Sequence, residues 1–133
     1  MTDLSIELKN DLVKRAEDVA NCARNAEGDR RPQTSQLRNL LQIVQEESEV
    51  LVLANFIRYQ AGRKATKRFW EPIYQKVIED LKVIQGSPAL QDLGTRRLAL
   101  QRYFGYMIRH YVYRAGTDQA SSNPNSPSNS DHE

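Results

Sequence analysis

The amino-acid sequence predicts an all-α protein, a compact bundle of about five helices with a disordered C-terminal tail. Apolar residues recur at three- and four-residue steps through most of the chain, and no useful length of it alternates with period two. Glycine, proline and capping residues divide this pattern into segments of helical length. Residues 116–133 carry one aliphatic side chain and two prolines, so burial there cannot offset the entropy of ordering.

The first helix is predicted within residues 3–26, with Asp3 as its cap and Gly28 closing its end in a left-handed conformation. Its apolar stripe is thin and alanine-rich in its second half. It would bury little by itself, so we expect this helix to pack on the core or on a neighbouring subunit. The stripe consists of Leu4, Leu8, Leu12, Ala16, Val19, Ala20 and Ala23.

The second helix is predicted to begin at a cap formed by Thr34 or Ser35 and to bury Leu37, Leu40, Leu41 and Val44. The phase of the apolar residues breaks after that. Ser48 is then expected to cap a third helix that buries Val50, Leu53, Ala54 and Ile57 and runs to about Ala61, with Gly62 as its stop.

The fourth helix cannot begin much before Phe69, because Pro72 lacks an amide hydrogen and fits only a first turn. Its buried face is predicted to be Phe69, Ile73, Val77, Leu81 and Ile84. Residues 86–94 are turn-rich and can hold a short helical turn that starts at Ser87-Pro88. A last helix, capped by Thr95 and reaching about Arg114, buries Leu100, Phe104, Met107, Ile108 and Tyr111.

Charge divides the chain into three predicted parts. The N-terminal helix and connector, residues 1–33, carry six Lys/Arg against seven Asp/Glu; the helical core, residues 34–115, carries thirteen against seven; and the tail, residues 116–133, carries none against three. A basic middle between mildly acidic ends favours a polyanionic partner.

Other features point to a cytoplasmic protein. No apolar run is long enough to span a membrane, and the N-terminus resembles neither a secretory signal nor a transit peptide. A single cysteine, Cys22, excludes a disulfide framework and is expected to be a small buried hydrophobe.

Catalytic motifs are missing from the sequence, so we expect neither an enzyme nor a cofactor or metal. His110 is the only histidine inside the predicted domain, and it has no Cys or acidic pair at ligand spacing. Glu46, Glu47 and Glu49 form an acidic cluster, which is more typical of a solvated helix cap than of a catalytic or metal site. No glycine-rich phosphate loop or nucleophile elbow is present.

The strongest signal is a group of five cations with no acid among them in residues 58–68. We call these five residues the basic corner: Arg58, Arg63, Lys64, Lys67 and Arg68. Four of them fall between the end of the third helix and the start of the fourth, where each positive charge is unfavourable by about 0.3 to 1 kcal/mol. A bound phosphate, held by backbone amides and cationic side chains together, would remove that penalty. A solvated loop is the alternative interpretation.

A second basic surface is predicted on the last helix, where Arg102, Tyr106, Arg109 and Tyr113 share one face. Arginine interleaved with tyrosine suits a nucleic-acid backbone and exposed bases, and it equally suits a protein interface. No base-reading motif accompanies these cations, which favours backbone binding without sequence preference.

Two short motifs resemble a known family. The run Thr34-Ser35-Gln36-Leu37-Arg38, followed about twenty residues later by Tyr59-Gln60-Ala61-Gly62-Arg63 and then by an aromatic-rich helix, resembles the small subunit of the type III-A CRISPR effector, the Csm complex. The resemblance covers about residues 34–113. The chain departs from the family in the last helix, where Gly105-Tyr106 stands in place of a glutamate that is often found among the aromatics.

The resemblance implies a helical, non-catalytic subunit of an antiviral ribonucleoprotein. Its implied partners are the guide RNA/target RNA duplex, the other subunits of the Csm complex and copies of itself, stacked as an inner filament. It implies that Arg63 contacts a phosphate, with Arg38 and Tyr59 as weaker candidates, while the other cations of the basic corner join them by proximity. A helical protein-protein adaptor with no direct role in nucleic-acid binding is the alternative function.

Overall fold

A computed structural model describes residues 3–122, and this part of the chain is helical and has no strand. The all-α prediction is confirmed, with six α-helices of which five have seven or more residues. The helices are α1 (Ile6–Glu27), α2 (Thr34–Val44), α3 (Val50–Gly62), α4 (Lys67–Trp70), α5 (Tyr74–Gly86) and α6 (Leu93–Ser122). A 3-10 turn at Pro88–Leu90 confirms the short turn expected after α5. None of the described helices is both long enough and apolar enough to cross a membrane.

The core forms along α6, the longest helix. Helices α1 and α2 pack on α6, while α3 packs on α4 and α5. The apolar stripe of α1 is buried as expected, apart from Leu8, which is half-buried, and it lies against the same chain's α6. The inner face predicted for α3 is buried completely, and so is the one predicted for the fourth helix, which the structure divides into α4 and α5. Cys22 is half-buried and packs against this core.

Two buried ionic networks fasten α1 to the rest of the bundle. In the first, Arg24 Nη1 donates to Glu27 Oε1 at 2.8 Å, and the Tyr111 hydroxyl of α6 donates to the same carboxylate at 2.7 Å. In the second, Arg15 Nη1 and the Tyr103 hydroxyl donate to the carboxylate of Asp80 on α5 at 3.1 and 2.6 Å. Each buried carboxylate is therefore hydrogen-bonded from two sides, as burial of a charge requires.

The helix caps differ from those predicted. Ser5, not Asp3, caps α1 by accepting the Leu8 amide at 3.2 Å, because the Asp3 carboxylate is turned toward Lys9 and Arg102. No side-chain cap bonds the start of α2 or α3, so Thr34, Ser35 and Ser48 do not have the predicted role. Before α6, the Asp92 carboxylate accepts both the amide and the hydroxyl of Thr95, the residue predicted as the cap.

Glycine closes α1 as expected, though with different backbone angles. Gly28 has φ 58° and ψ −121°, so its φ is positive but its ψ lies outside the left-handed helical region. Its amide donates to the Arg24 carbonyl at 3.1 Å. This is the one positive φ among the described residues.

The last helix continues well past the predicted end at Arg114, through Gly116 to Ser122. Asp118 receives Arg24 Nε at 3.2 Å and Arg114 Nη2 at 3.4 Å. The pair with Arg24 ties this segment to α1, and the pair with Arg114 lies within α6, so both hold a segment whose composition alone argues against order. The predicted tail therefore begins too early, because residues 116–118 belong to α6; residues 123–133 lie outside the described part of the chain.

Candidate nucleic-acid interface

The basic corner lies on the surface where α3 meets α4. All five of its cations are exposed, as are Tyr59 and, on α2, Arg38. No acid occurs in residues 50–70. Within the described residues, the only ion pair of the basic corner joins Lys67 to Glu71 at 3.6 Å, and both side chains are more than half exposed. An exposed pair of this kind neutralises little charge, so the surface stays strongly positive.

Short hydrogen bonds fix the connector between the two helices. The Arg63 amide donates to the Tyr59 carbonyl at 2.9 Å, and the Arg63 carbonyl accepts the amides of Thr66 and Lys67 at 3.0 and 2.7 Å. Thr66 is buried, and its hydroxyl donates to the Gln60 carbonyl at 2.7 Å. The connector is thus a closed turn tied to the end of α3, and not an extended solvated loop.

Two aromatic residues anchor α4 in the core and direct its cations outward. Phe69 packs edge-to-face on Tyr111 of α6, with ring centroids 5.9 Å apart. Trp70 is buried, and its indole Nε1 donates to Gln36 Oε1 on α2 at 3.2 Å. Since Phe69 and Trp70 point inward, the preceding Lys67 and Arg68 lie outside. Burying each ring stabilises this placement by about 2 to 3 kcal/mol.

The predicted anion site at a helix start is not found. Helix α4 has four residues, and the amides of Lys67, Phe69 and Trp70 already donate to the carbonyls of Arg63 and Thr66. The long helix starts only at Tyr74, because Pro72 lies in the turn between α4 and α5. A phosphate at this surface would therefore be held by cationic side chains and not by a helix N-terminus.

Arg38 belongs to the same side of the molecule as Arg63. It borders an open groove on α2 together with Asn39, and Asn39 also lines a small groove that reaches Arg63. Tyr59 is 60% exposed beside Arg58, which leaves its ring free to stack on a base. The structure thus links Arg38 to Arg63 through two grooves that share Asn39, while Tyr59 is exposed on α3 within the same segment of the chain as the basic corner.

The second basic surface, on α6, is separate from the basic corner, and both of its arginines already have contacts within the protein. Arg102 Nη2 lies 3.2 Å from Asp3 Oδ1, while Arg109 lies over the ring of Tyr106 at 6.0 Å. Bonding to Tyr106 and the charge of Asp3 raise the pKa of Arg102. The groove containing Arg109 is lined by α1 and α6 and shares no residue with the groove at Arg63. Of the two predicted arginines, only Arg109 is fully exposed.

Other charged side chains serve the fold. Arg96, in the first turn of α6, is buried and donates Nε to the Leu90 carbonyl at 3.0 Å. His110 Nε2 lies 2.9 Å from Asn21 Oδ1, which joins α6 to α1. Among residues 3–122, no three His, Cys, Asp or Glu side chains are grouped so that they could hold a metal ion.

In the acidic cluster, the Glu47 carboxylate accepts the amide of Glu49, the residue that precedes α3, at 2.9 Å. Glu46 and Glu47 also border an open groove of about 930 Å³. That groove is unsuited to a phosphate, because the two carboxylates would repel it.

Sequence reasoning missed the small groove beside Arg63. It is lined by side-chain amides, among them Gln60, which is 7% exposed. A signal was present, since Gln60 follows Leu53 and Ile57 on the apolar stripe of α3, where a polar residue is out of place.

Comparison with models of known protein families, with curated protein sequences and with solved structures found no match to this chain.

Proposed function

We propose that this protein is a non-catalytic structural subunit of a ribonucleoprotein and holds the sugar-phosphate backbone of RNA without sequence preference. The observation that carries the proposal is the basic corner, five exposed cations of which one has an acidic partner in the described chain. Like charges gathered on a rigid turn repel one another, and phosphates of a polyanion would relieve that repulsion.

The motifs around Arg38 and Arg63 give this proposal a more specific form, the small subunit of a type III-A CRISPR effector in antiviral defence. In that form the RNA is a guide RNA/target RNA duplex, and the partners are other Csm subunits and further copies of this chain. Arg38 and Arg63 border grooves that share Asn39, and Tyr59 is exposed on α3, which supports one continuous RNA path across α2, α3 and α4.

The first test measures binding of the full chain to single-stranded RNA and to an RNA duplex at two salt concentrations. If about four phosphates are neutralised, a fourfold rise in salt weakens binding to the single strand roughly 50-fold. An affinity that ignores salt would contradict the proposal.

A pair of charge-matched variants locates the interface. The first variant replaces three cations of the basic corner with alanine, and the control replaces three exposed cations elsewhere. The two sets are Arg63, Lys64 and Arg68 for the test, and Lys14, Arg31 and Lys82 for the control. We expect the slope of log affinity against log salt to become shallower by about two in the test variant and to stay near the wild-type value in the control. Equal effects would mean that net charge alone drives binding.

A protein-protein adaptor is the second candidate, because apolar side chains are exposed on the outer face of α3. Leu51 is 70% and Val52 50% exposed, and Tyr113 of α6 is 62% exposed. Isolation of the protein from its native host decides between the candidates. RNA in the isolated complex favours the first, and a stoichiometric protein partner without RNA favours the second.

A further inference from the structure

A small groove opens beside Arg63, between α2, α3 and α4. Its volume is about 120 Å³, well below the range of about 300 to 1,000 Å³ that drug-sized ligands occupy. The groove therefore suits one small planar group and not an extended ligand. Its lining includes Gln36, Asn39, Phe56, Gln60, Arg63 and Trp70.

Gln60 gives the groove its polar character. The residue is 7% exposed, and none of the hydrogen bonds found among residues 3–122 involves its side-chain amide. The bond at this residue is made by its backbone carbonyl, which accepts the Thr66 hydroxyl. The side-chain amide of Gln60 therefore has no partner among the described residues and borders the open groove, where it can receive both a donor and an acceptor from a ligand.

The other walls match a flat heteroaromatic ring. Gln36 uses its Oε1 to accept the Trp70 indole, which leaves its NH₂ group as a donor. Asn39 is exposed and adds a second complete amide, while the half-buried Phe56 supplies an apolar ring. Amide side chains paired with base edges, next to an aromatic contact, are how proteins bind unstacked nucleobases.

We infer that this groove receives one unstacked nucleobase from an RNA strand whose phosphates lie on the basic corner. The inference rests on the proposed function. Arg63 connects the two sites because it is exposed, belongs to the basic corner and lines the groove, whereas Trp70 is buried at its floor. A base inside a duplex has its pairing edge occupied, so the groove selects single-stranded or extruded nucleotides.

Trp70 makes occupancy measurable. It is the only tryptophan in the chain, and its indole lines the groove. A base that enters should therefore change tryptophan fluorescence. The experiment titrates the full chain with a single-stranded RNA and with a strand of equal length that lacks its bases. Both titrations are followed by the tryptophan signal and by anisotropy of a dye on the strand.

Two variants remove the amides without touching the cations. Gln60→Leu keeps the volume of the buried side chain, and Asn39→Ala changes an exposed one, so that at least one variant keeps the fold. We expect each to weaken single-strand binding roughly 5-fold, the effect of one net hydrogen bond, and to leave binding of the base-free strand unchanged.

The outcomes separate this inference from the function on which it rests. The inference is supported if both variants lose the tryptophan fluorescence change and the higher affinity for the strand that has bases, while both keep salt-dependent binding. Equal binding of strands with and without bases, and no effect of either variant, overturns the inference and leaves backbone binding intact. Absence of binding to any RNA overturns both.

Discussion

Replacement of Tyr103 by phenylalanine tests how the buried carboxylate of Asp80 is stabilised. Tyr103 is fully buried, and its hydroxyl donates to Asp80 Oδ2 at 2.6 Å. Phenylalanine keeps the ring, so the main loss is a hydrogen bond to a charged group, typically about 1.5 to 3 kcal/mol. Arg15 still donates to the other carboxylate oxygen at 3.1 Å. We therefore expect the free energy of unfolding at neutral pH to fall by about 2 kcal/mol.

The size of this loss should depend on pH. Burial raises the pKa of Asp80 above its ordinary value of 3.8, and the bonds from Tyr103 and Arg15 oppose that rise. Because the folded-state pKa is raised, the folded protein holds this proton where the unfolded chain has released it. The contribution of Asp80 to stability is thus fully present below about pH 3.8 and is lost as the pH rises through the folded-state pKa.

Without the Tyr103 hydroxyl, the pKa of Asp80 rises further, and the loss with increasing pH becomes larger. The difference in unfolding free energy between wild type and Tyr103→Phe should therefore grow from about pH 4 to about pH 7. This difference is measured by urea denaturation, monitored through the circular-dichroism signal of the helices. Tyr113→Phe, at a residue that is 62% exposed, is the matched control and should stay within about 0.5 kcal/mol of wild type. An equal deficit at both pH values would refute the reasoning.

Three further substitutions test single features of the fold by the same denaturation assay. Gly28→Ala should lower the free energy of unfolding by about 1 to 2 kcal/mol because Gly28 has a positive φ. Gly62 has no positive φ and nothing near an added methyl group, so Gly62→Ala should be neutral or slightly stabilising. Equal costs at the two positions would contradict this reasoning. Arg24→Met should lower the free energy of unfolding by about 3 to 5 kcal/mol because the buried Glu27 carboxylate loses its ion pair. Adding Glu27→Gln to this variant should recover part of the lost stability. If no stability were recovered, the ionic explanation would be excluded. Asp92→Ala should lower the denaturation midpoint because a helix cap is lost, and an unchanged denaturation curve would show that the cap contributes nothing.

The buried faces of the helices could be predicted because their information is local. Val50, Leu53, Ala54 and Ile57 repeat at helical spacing, and all four are buried in α3. The spacing alone indicates both the helix and the side that faces the core.

Helix ends were harder to predict because distant residues decide them. Asp3 was available as a cap, but its carboxylate is drawn to Arg102, which is remote in sequence. The extension of α6 past Gly116 likewise depends on Asp118 meeting Arg24 on α1. A sequence window contains neither partner, so local propensity fails at these positions.

The candidate interface could be predicted only in part, because its cations are a local feature of the sequence whereas its groove depends on contacts between distant residues. The cations of residues 58–68 are exposed as expected, because charged side chains rarely enter a core unpaired. The groove at Gln60 depends on α2 being joined to α4 by the bond between Gln36 and Trp70, residues that are far apart in sequence. Only the assembled fold places the amides around one space.

The positions of the charges make binding and stability separable in this protein. The ionic contacts centred on the buried carboxylates of Glu27 and Asp80 fasten α1 to α6 and α5, whereas the cations of the basic corner are exposed. Removing like charges from an exposed surface relieves repulsion, so the alanine variant of the basic corner should be as stable as wild type or slightly more stable at low salt. If the basic corner instead had a structural role, the alanine variant would be less stable than wild type. The sign of that stability change therefore distinguishes a surface kept for a polyanion from one kept for the fold.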